Sequence, residues 1–226
     1  MAYVLGFIYA DGSLENSPYI RGKYLRITST DRPIIILVKS LIGSEHTIVE
    51  DKRNKPNKTR YQLRIGSHVL YESLEKIGLT PKKSLTMSLP KVPKKYFRHF
   101  LRGYLDGDGC IYTEWLTEAK LKRLRIIFTS GSKMFLEQLN QTLMKQLSLS
   151  LKTINKGTRC HRLMYGTHDS VKILKFMYNN LRQRIFLERK WDKAFLVLKY
   201  WPRRQVVSRE SAKLLCAGSI PAVASL

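Results

Sequence analysis

Carboxylates are scarce in this chain: 17 Asp and Glu stand against 41 Lys and Arg in 226 residues, a formal charge of +24. A net charge of roughly 2 to 8 is enough to keep a small domain soluble, so the excess points to a polyanion as partner. Cysteine is scarce too. Cys110, Cys160 and Cys216 are odd in number and far apart, with no CxxC pair and no His cluster. That pattern excludes a disulfide framework and a zinc site, and it fits a reducing compartment. No apolar run approaches the roughly 20 residues needed to cross a bilayer, and Met1 to Leu14 lacks the basic start and cleavage pattern of a secretory signal. The sequence therefore predicts an intracellular protein, in a bacterial cytoplasm or an organelle, with no membrane partner.

What the chain does have is one short pattern used twice. Val4-Leu5-Gly6-Phe7-Ile8-Tyr9-Ala10-Asp11-Gly12 and Leu101-Arg102-Gly103-Tyr104-Leu105-Asp106-Gly107-Asp108-Gly109 both run into an Asp-Gly. Each reads as a helix ended by glycine and followed by a strand. A mid-helix glycine costs about 1 kcal/mol relative to alanine, yet Gly6 and Gly103 sit there. Each is followed four residues later by another small residue, Ala10 or Gly107. Small residues on one face let two helices approach closely, so these four are expected at a helix–helix interface. Asp11 and Asp108 fall at the negative end of a helix dipole, where an unpaired carboxylate is disfavoured and a cation removes the penalty. Parallel packing would set the two Asp side by side, the oxygen-rich arrangement that suits Mg2+ acting on a phosphodiester.

Both stretches resemble the nine-residue signature of the LAGLIDADG homing endonucleases, in the single-chain form that carries the motif twice. The resemblance implies a site-specific DNA endonuclease that makes a double-strand break with Mg2+ or another divalent cation and serves intron homing. It implies Asp11 and Asp108 as catalytic residues and metal ligands, joined by the backbone carbonyls of Ala10 and Gly107. Tyr9 stands where the signature has its first acidic residue, which the second copy keeps as Asp106. In the family a basic or amide side chain after the second strand of each half helps to activate water, and the matching places here hold Ser29 and Ser130. Two alternatives stay open: an RNA maturase that assists splicing of its host intron, which has no need of the paired Asp, and a DNA-binding protein without catalysis, which the two serines favour.

Along the first half, Lys23 to Thr28 alternates as a half-buried strand with Tyr24 and Arg26 outward, and Asp31 reads as the N-cap of a helix stopped by Gly43. Strands follow at His46 to Asp51 and Arg60 to Ile65; in the second, Arg60, Gln62 and Arg64 point outward. Arg and Gln are the side chains that read guanine and adenine edges in a major groove. Ser67 caps a last helix. The proline-punctuated segment 80–93 reads as a linker between a first half, 1–79, and a second half, 94–201.

The second half repeats the first. Strands are expected at Cys110 to Leu116, Lys122 to Thr129, Leu149 to Asn155 and Arg159 to Tyr165, with Arg123, Arg125, Lys152 and Arg162 on the DNA face. Arg26-Ile27 recurs as Arg125-Ile126, and Gly66-Ser67-His68 as Gly166-Thr167-His168, at nearly the offset of the motifs. His68 and His168 fall at helix starts, where capping or phosphate contact is expected. Leu187 to Trp201 reads as a closing helix with Leu187, Trp191, Phe195 and Leu198 inward and Arg189, Lys190 and Lys193 outward. The expected fold is α+β: two pseudo-symmetric αββαββα halves packed through their motif helices, each with an antiparallel sheet facing double-stranded DNA, in a monomer. Residues 202–226 have no coherent apolar period and read as a disordered tail, yet Gly218-Ser219-Ile220-Pro221 can be encoded by GGTTCGATTCC, the form of a transfer RNA T-arm.

Overall fold

The computed structural model describes residues 1–17, 22–52, 58–117, 120–179, 181 and 184–201. The first half runs α1 (Ala2–Asp11), β1 (Gly12–Ser17), β2 (Gly22–Ser29), α2 (Arg32–Ile42), β3 (Ile48–Asp51), β4 (Arg60–Gly66) and α3 (His68–Lys76). The second repeats that order as α4 (Lys94–Asp108), β5 (Gly109–Thr117), β6 (Lys120–Ser130), α5 (Lys133–Leu147), β7 (Ile154–Gly157), β8 (Cys160–Tyr165) and α6 (Thr167–Tyr178), followed by α7 over 188–201. The strands form two antiparallel sheets, ordered β1-β2-β4-β3 and β5-β6-β8-β7. The protein is thus an α+β fold of two pseudo-symmetric halves.

Alternation in the strands decides which face is buried. Leu25 pairs with Ile65 and Ile27 with Leu63 in the first sheet; Ile126 pairs with Tyr165 and Phe128 with Leu163 in the second. All eight side chains are buried, and each contributes roughly 1.5–3 kcal/mol of hydrophobic stabilisation. The intervening Arg26, Thr28, Gln62 and Arg64, and Arg125, Thr129 and Arg162, are left on the opposite faces.

The halves meet along α1 and α4. A Cβ on Gly6 would lie 2.0 Å from the Phe100 carbonyl oxygen, and one on Gly103 would lie 2.0 Å from the Tyr3 carbonyl oxygen, so each glycine makes room for the other helix's backbone. Further along, a Cβ on Gly107 would meet that of Ala10 at 2.3 Å. The helices therefore run side by side in the same direction and bring their C-terminal ends together. Across the same interface, the buried Tyr3 hydroxyl donates to Asp106 Oδ2 at 2.7 Å.

Several local expectations are corrected. Leu149 to Thr153 is not a strand: Ser148, at φ 50°, turns the chain after α5, and β7 begins only at Ile154. The helix-start histidines cap nothing, since the Ser67 hydroxyl accepts from the Leu70 N–H and His168 packs edge-on to Trp201. Asp31 occupies the N-cap position of α2, but its carboxylate reaches across to Arg189. In α7 the buried face is Lys190, Ala194, Val197 and Trp201, while Phe195 is exposed; Lys190 turns inward because backbone carbonyls claim its ammonium. Segment 80–93 contains a 3₁₀ turn, Lys83–Leu85, and buries Lys83 and Met87.

Candidate active site

Asp11 and Asp108 end α1 and α4, and the close approach of Gly107 to Ala10 places the two carboxylates at one junction. Burial first, and the Asp108 charge second, push Asp11 up to about 7. Burial also raises Asp108, although the residue keeps an exposed edge. Beside Asp11 lies a polar cavity of about 400 Å3, lined by Thr28, Ser29, Asp31, Arg60, Gly107 and Arg189 among others.

Two lysines hold the ends of the motif helices: Lys83, from the connection between the halves, and Lys190, which is buried and not outward as the helical pattern predicts. Lys83 Nζ donates to the carbonyls of Tyr9 at 2.7 Å and Ala10 at 3.2 Å. Lys190 Nζ donates to the carbonyls of Leu105, Asp106 (2.8 Å), Gly109 (2.7 Å) and, more distantly, Gly107 (3.4 Å). Both take up carbonyls at a helix C-terminus, where few intrahelical donors remain, and the Leu105 carbonyl also accepts from the Gly109 N–H. Burial lowers both ammonium pKa values, Lys190 to about 8, and the pair of positive charges in turn favours ionised Asp11 and Asp108. No sequence signal marked them. Lys83 lies in the proline-rich connection and Lys190 in a basic helical run, and their separation in sequence departs from the repeat offset.

Asp106 is fully enclosed, accepts from Tyr3 and from the Leu187 N–H at 2.9 Å, and is held up to about 6 by burial. Its role is to lock the interface, and Tyr9, its counterpart by position, packs edge-on to Phe100. The serines at the expected water-activating places are spent on turns: Ser29 Oγ accepts from the Asp31 N–H and Ser130 Oγ from the Ser132 N–H.

On the outer sheet faces, Tyr24, Arg26, Arg60, Gln62 and Arg64 come together on the first sheet, and Arg123, Arg125 and Arg162 on the second. Glu15 binds both Arg26 (3.0 Å) and Arg64 (3.1 Å), whose guanidinium also covers the Tyr24 ring. Glu114, two residues further along the first strand of the second sheet, is bound in a similar way to Lys122 and Arg123. Lys152 stands apart, outside the strands, with its ammonium 2.8 Å from Asp169 of α6.

A family model for the LAGLIDADG-like domain matches residues 96–215, just over half of the chain. The chain belongs to the LAGLIDADG family. Among solved structures, the LAGLIDADG homing endonuclease I-LtrWI bound to target DNA matches with a TM-score of 0.58 at 12% identity, covering 98% of this chain and 97% of that one. I-DmoI in complex with DNA and Mn matches with a TM-score of 0.52 at 19% identity, over 80% and 97%. A curated relative, reverse gyrase of Methanocaldococcus jannaschii, is 25% identical over 189 residues, which are 82% of this chain but 10% of that protein. The chain spans only about a tenth of that relative's length.

The donor set at the helix ends fits a hard divalent cation. Among the described residues no group of three or more His, Cys, Asp or Glu could hold a metal ion, and the oxygens gathered at the helix ends are those of Asp11, Asp108 and the neighbouring backbone carbonyls. The Ala10 and Gly107 carbonyls make only the longest contact of their respective lysines, and each carbonyl has a second lone pair. Mutual repulsion of the carboxylates is the other half of the fit, because a shared cation relieves it. Among the described residues, no helix is long and apolar enough to cross a membrane.

Proposed function

We propose that this protein is a site-specific, metal-dependent DNA endonuclease that makes a double-strand break and serves intron homing. The observation that carries the reading is the meeting of Asp11 and Asp108 at one junction beneath two sheets with basic outer faces. Strands of 6 to 11 residues extend roughly 20–36 Å, so two sheets cover on the order of 18 base pairs.

In this reading Asp11 and Asp108, with the Ala10 and Gly107 carbonyls, hold Mg2+, which when bound supplies Lewis-acid stabilisation of the scissile phosphate and favours a hydroxide nucleophile. The chain's own residues do the positioning. Lys83 and Lys190 fix the helix ends and offset part of the burial that raises both carboxylates. Arg60 and Arg189 face the cavity beside Asp11, where a phosphate would enter. The outer-face Arg and Gln side chains set register on the duplex, by phosphate contact or by base edge.

The test is incubation of the purified protein with a library of duplexes randomised over about 20 base pairs, with Mg2+ or EDTA, followed by sequencing of the cut ends. Mg2+-dependent cutting at a narrow set of sites is expected. Asp11→Asn and Asp108→Asn should each abolish double-strand breaks while leaving duplex affinity nearly unchanged. Full cutting by either variant, or none by the wild type, would overturn the reading.

A further inference from the structure

Both sheets, both motif aspartates and both helix-end lysines lie within residues 1–201, and residues 202–226 fall outside the described structure. The information in that segment lies in its codons. Gly218 requires GGn and Pro221 requires CCn, and the flanking Ala217 and Ala222 each require GCn. With Ile220 supplying ATn, the coding strand over Ala217 to Ala222 reads GCn GGn nnn ATn CCn GCn.

That string folds back on itself. The GC of the Ala217 codon is complementary to the GC of the Ala222 codon read antiparallel, and the GG of Gly218 is complementary to the CC of Pro221. The third bases of the Ala217 and Pro221 codons face each other between them. Four pairs are dictated by the amino acids, with room for a fifth between them, and they bracket a loop of seven nucleotides. The loop begins at the third base of Gly218, contains the Ser219 codon, and places the A of Ile220 at its fifth position. With GGT, TCA or TCG, and ATT or ATC at Gly218, Ser219 and Ile220, it reads T-T-C-purine-A-T-pyrimidine. Five pairs around a seven-nucleotide loop of that sequence is the form of a transfer RNA T-arm. Average residue usage gives this tetrapeptide only roughly a few times in a thousand chains of this length, and the two further enforced pairs lower that by about another order of magnitude.

We infer that the reading frame crosses into the 3′ exon of a transfer RNA gene, and that the substrate is the uninterrupted form of that gene, cut at the exon junction upstream of the T-arm. The target part of this inference rests on the endonuclease reading; the locus part does not. A nuclease encoded inside an insertion must spare its own copy. It does so when its site spans the junction that the insertion splits, and on the order of 18 base pairs of sheet coverage is long enough for that.

Two measurements test it. The gene's nucleotide sequence should show GGT at Gly218, TCA or TCG at Ser219, and complementary third bases at Ala217 and Pro221; any other outcome overturns the locus. The full-length protein with Mg2+ should then cut a duplex of the two flanking exons joined together at least tenfold faster than the same exons with the insertion in place. Equal rates on the two duplexes overturn the target. Cutting of a library sequence but not of the joined exons also overturns the target and leaves the endonuclease reading standing. Cutting of neither overturns the endonuclease reading and the target with it, while the codons still decide the locus.

Discussion

Lys83 and Lys190 occupy equivalent stations on the two motif helices, each with a buried ammonium on the last carbonyls of the helix that carries a motif aspartate. A buried lysine is costly unless its donors are satisfied, and here backbone carbonyls at the helix ends satisfy them. The equivalence is incomplete. Lys190 serves four carbonyls and Lys83 two.

That difference predicts unequal variants. Lys190→Met should destabilise the fold by about 1–3 kcal/mol, and Lys83→Met by less, because fewer carbonyls lose their partner. Both should lower the cleavage rate more than duplex affinity, since the sheets are untouched. Denaturant titration with filter binding and single-turnover cleavage checks this; equal stability loss in the two variants would count against the geometry.

The carboxylate pair gives a pH dependence whose sign is fixed by Asp11. Its folded pKa of about 7 lies above the unfolded value of about 3.9, so the folded state retains the proton more strongly. This contribution to stability is complete below about pH 4 and is lost as pH rises through about 7, an effect on the order of a few kcal/mol. Mg2+ held by the ionised pair should return it. Stabilisation by Mg2+ is therefore expected to be small near about pH 5 and large near about pH 8, and Asp11→Asn should abolish the pH-dependent part. Unfolding midpoints with Mg2+ and with EDTA across that range decide the matter.

Gly6→Ala and Gly103→Ala should each cost about 1–3 kcal/mol or more, because the added carbon meets backbone oxygen at 2.0 Å and the two helices must part. Gly166→Ala is the control. It has nothing within 4 Å and a φ of −77°, so its change should stay within about 0.5 kcal/mol. Thermal unfolding of the three variants tests whether contact, not loss of glycine, is responsible.

The sequence revealed those parts of the fold that repeat. Alternation marked β2, β4, β6 and β8, because one face of each packs against helices, and the doubled Gly-to-Asp spacing marked the two helices that meet. It did not reveal what depends on a single long-range contact. Lys190 reads as a solvated charge in a basic helix until the α4 carbonyls are set beside it, and Asp31 reads as a cap until Arg189 arrives from 158 residues away. Strand periodicity puts Lys152 on the sheet, but the Ser148 turn and the Asn140 side chain, which bonds the Lys152 backbone, hold that stretch out of the ladder.

The two sheet-face glutamates carry the last prediction. Glu15 and Glu114 each sit on the first strand of a sheet and bind two cations of its outer face. Partly exposed pairs of this kind add only about 0.2–1 kcal/mol to stability, so their main effect is to restrain the arginines in fixed directions and lower the positive potential of the face. Glu15→Gln should release Arg26 and Arg64 and raise affinity for non-specific duplex. It should also steepen the dependence of log affinity on log salt by about one, with stability changed by less than about 1 kcal/mol. Discrimination between the preferred site and random duplex should fall at the same time, because freed guanidiniums gain phosphate contacts that carry no sequence information. Binding isotherms over a salt series on both duplexes measure all three quantities, and an unchanged salt slope would mean that the sheet's outer face is not the surface that meets DNA.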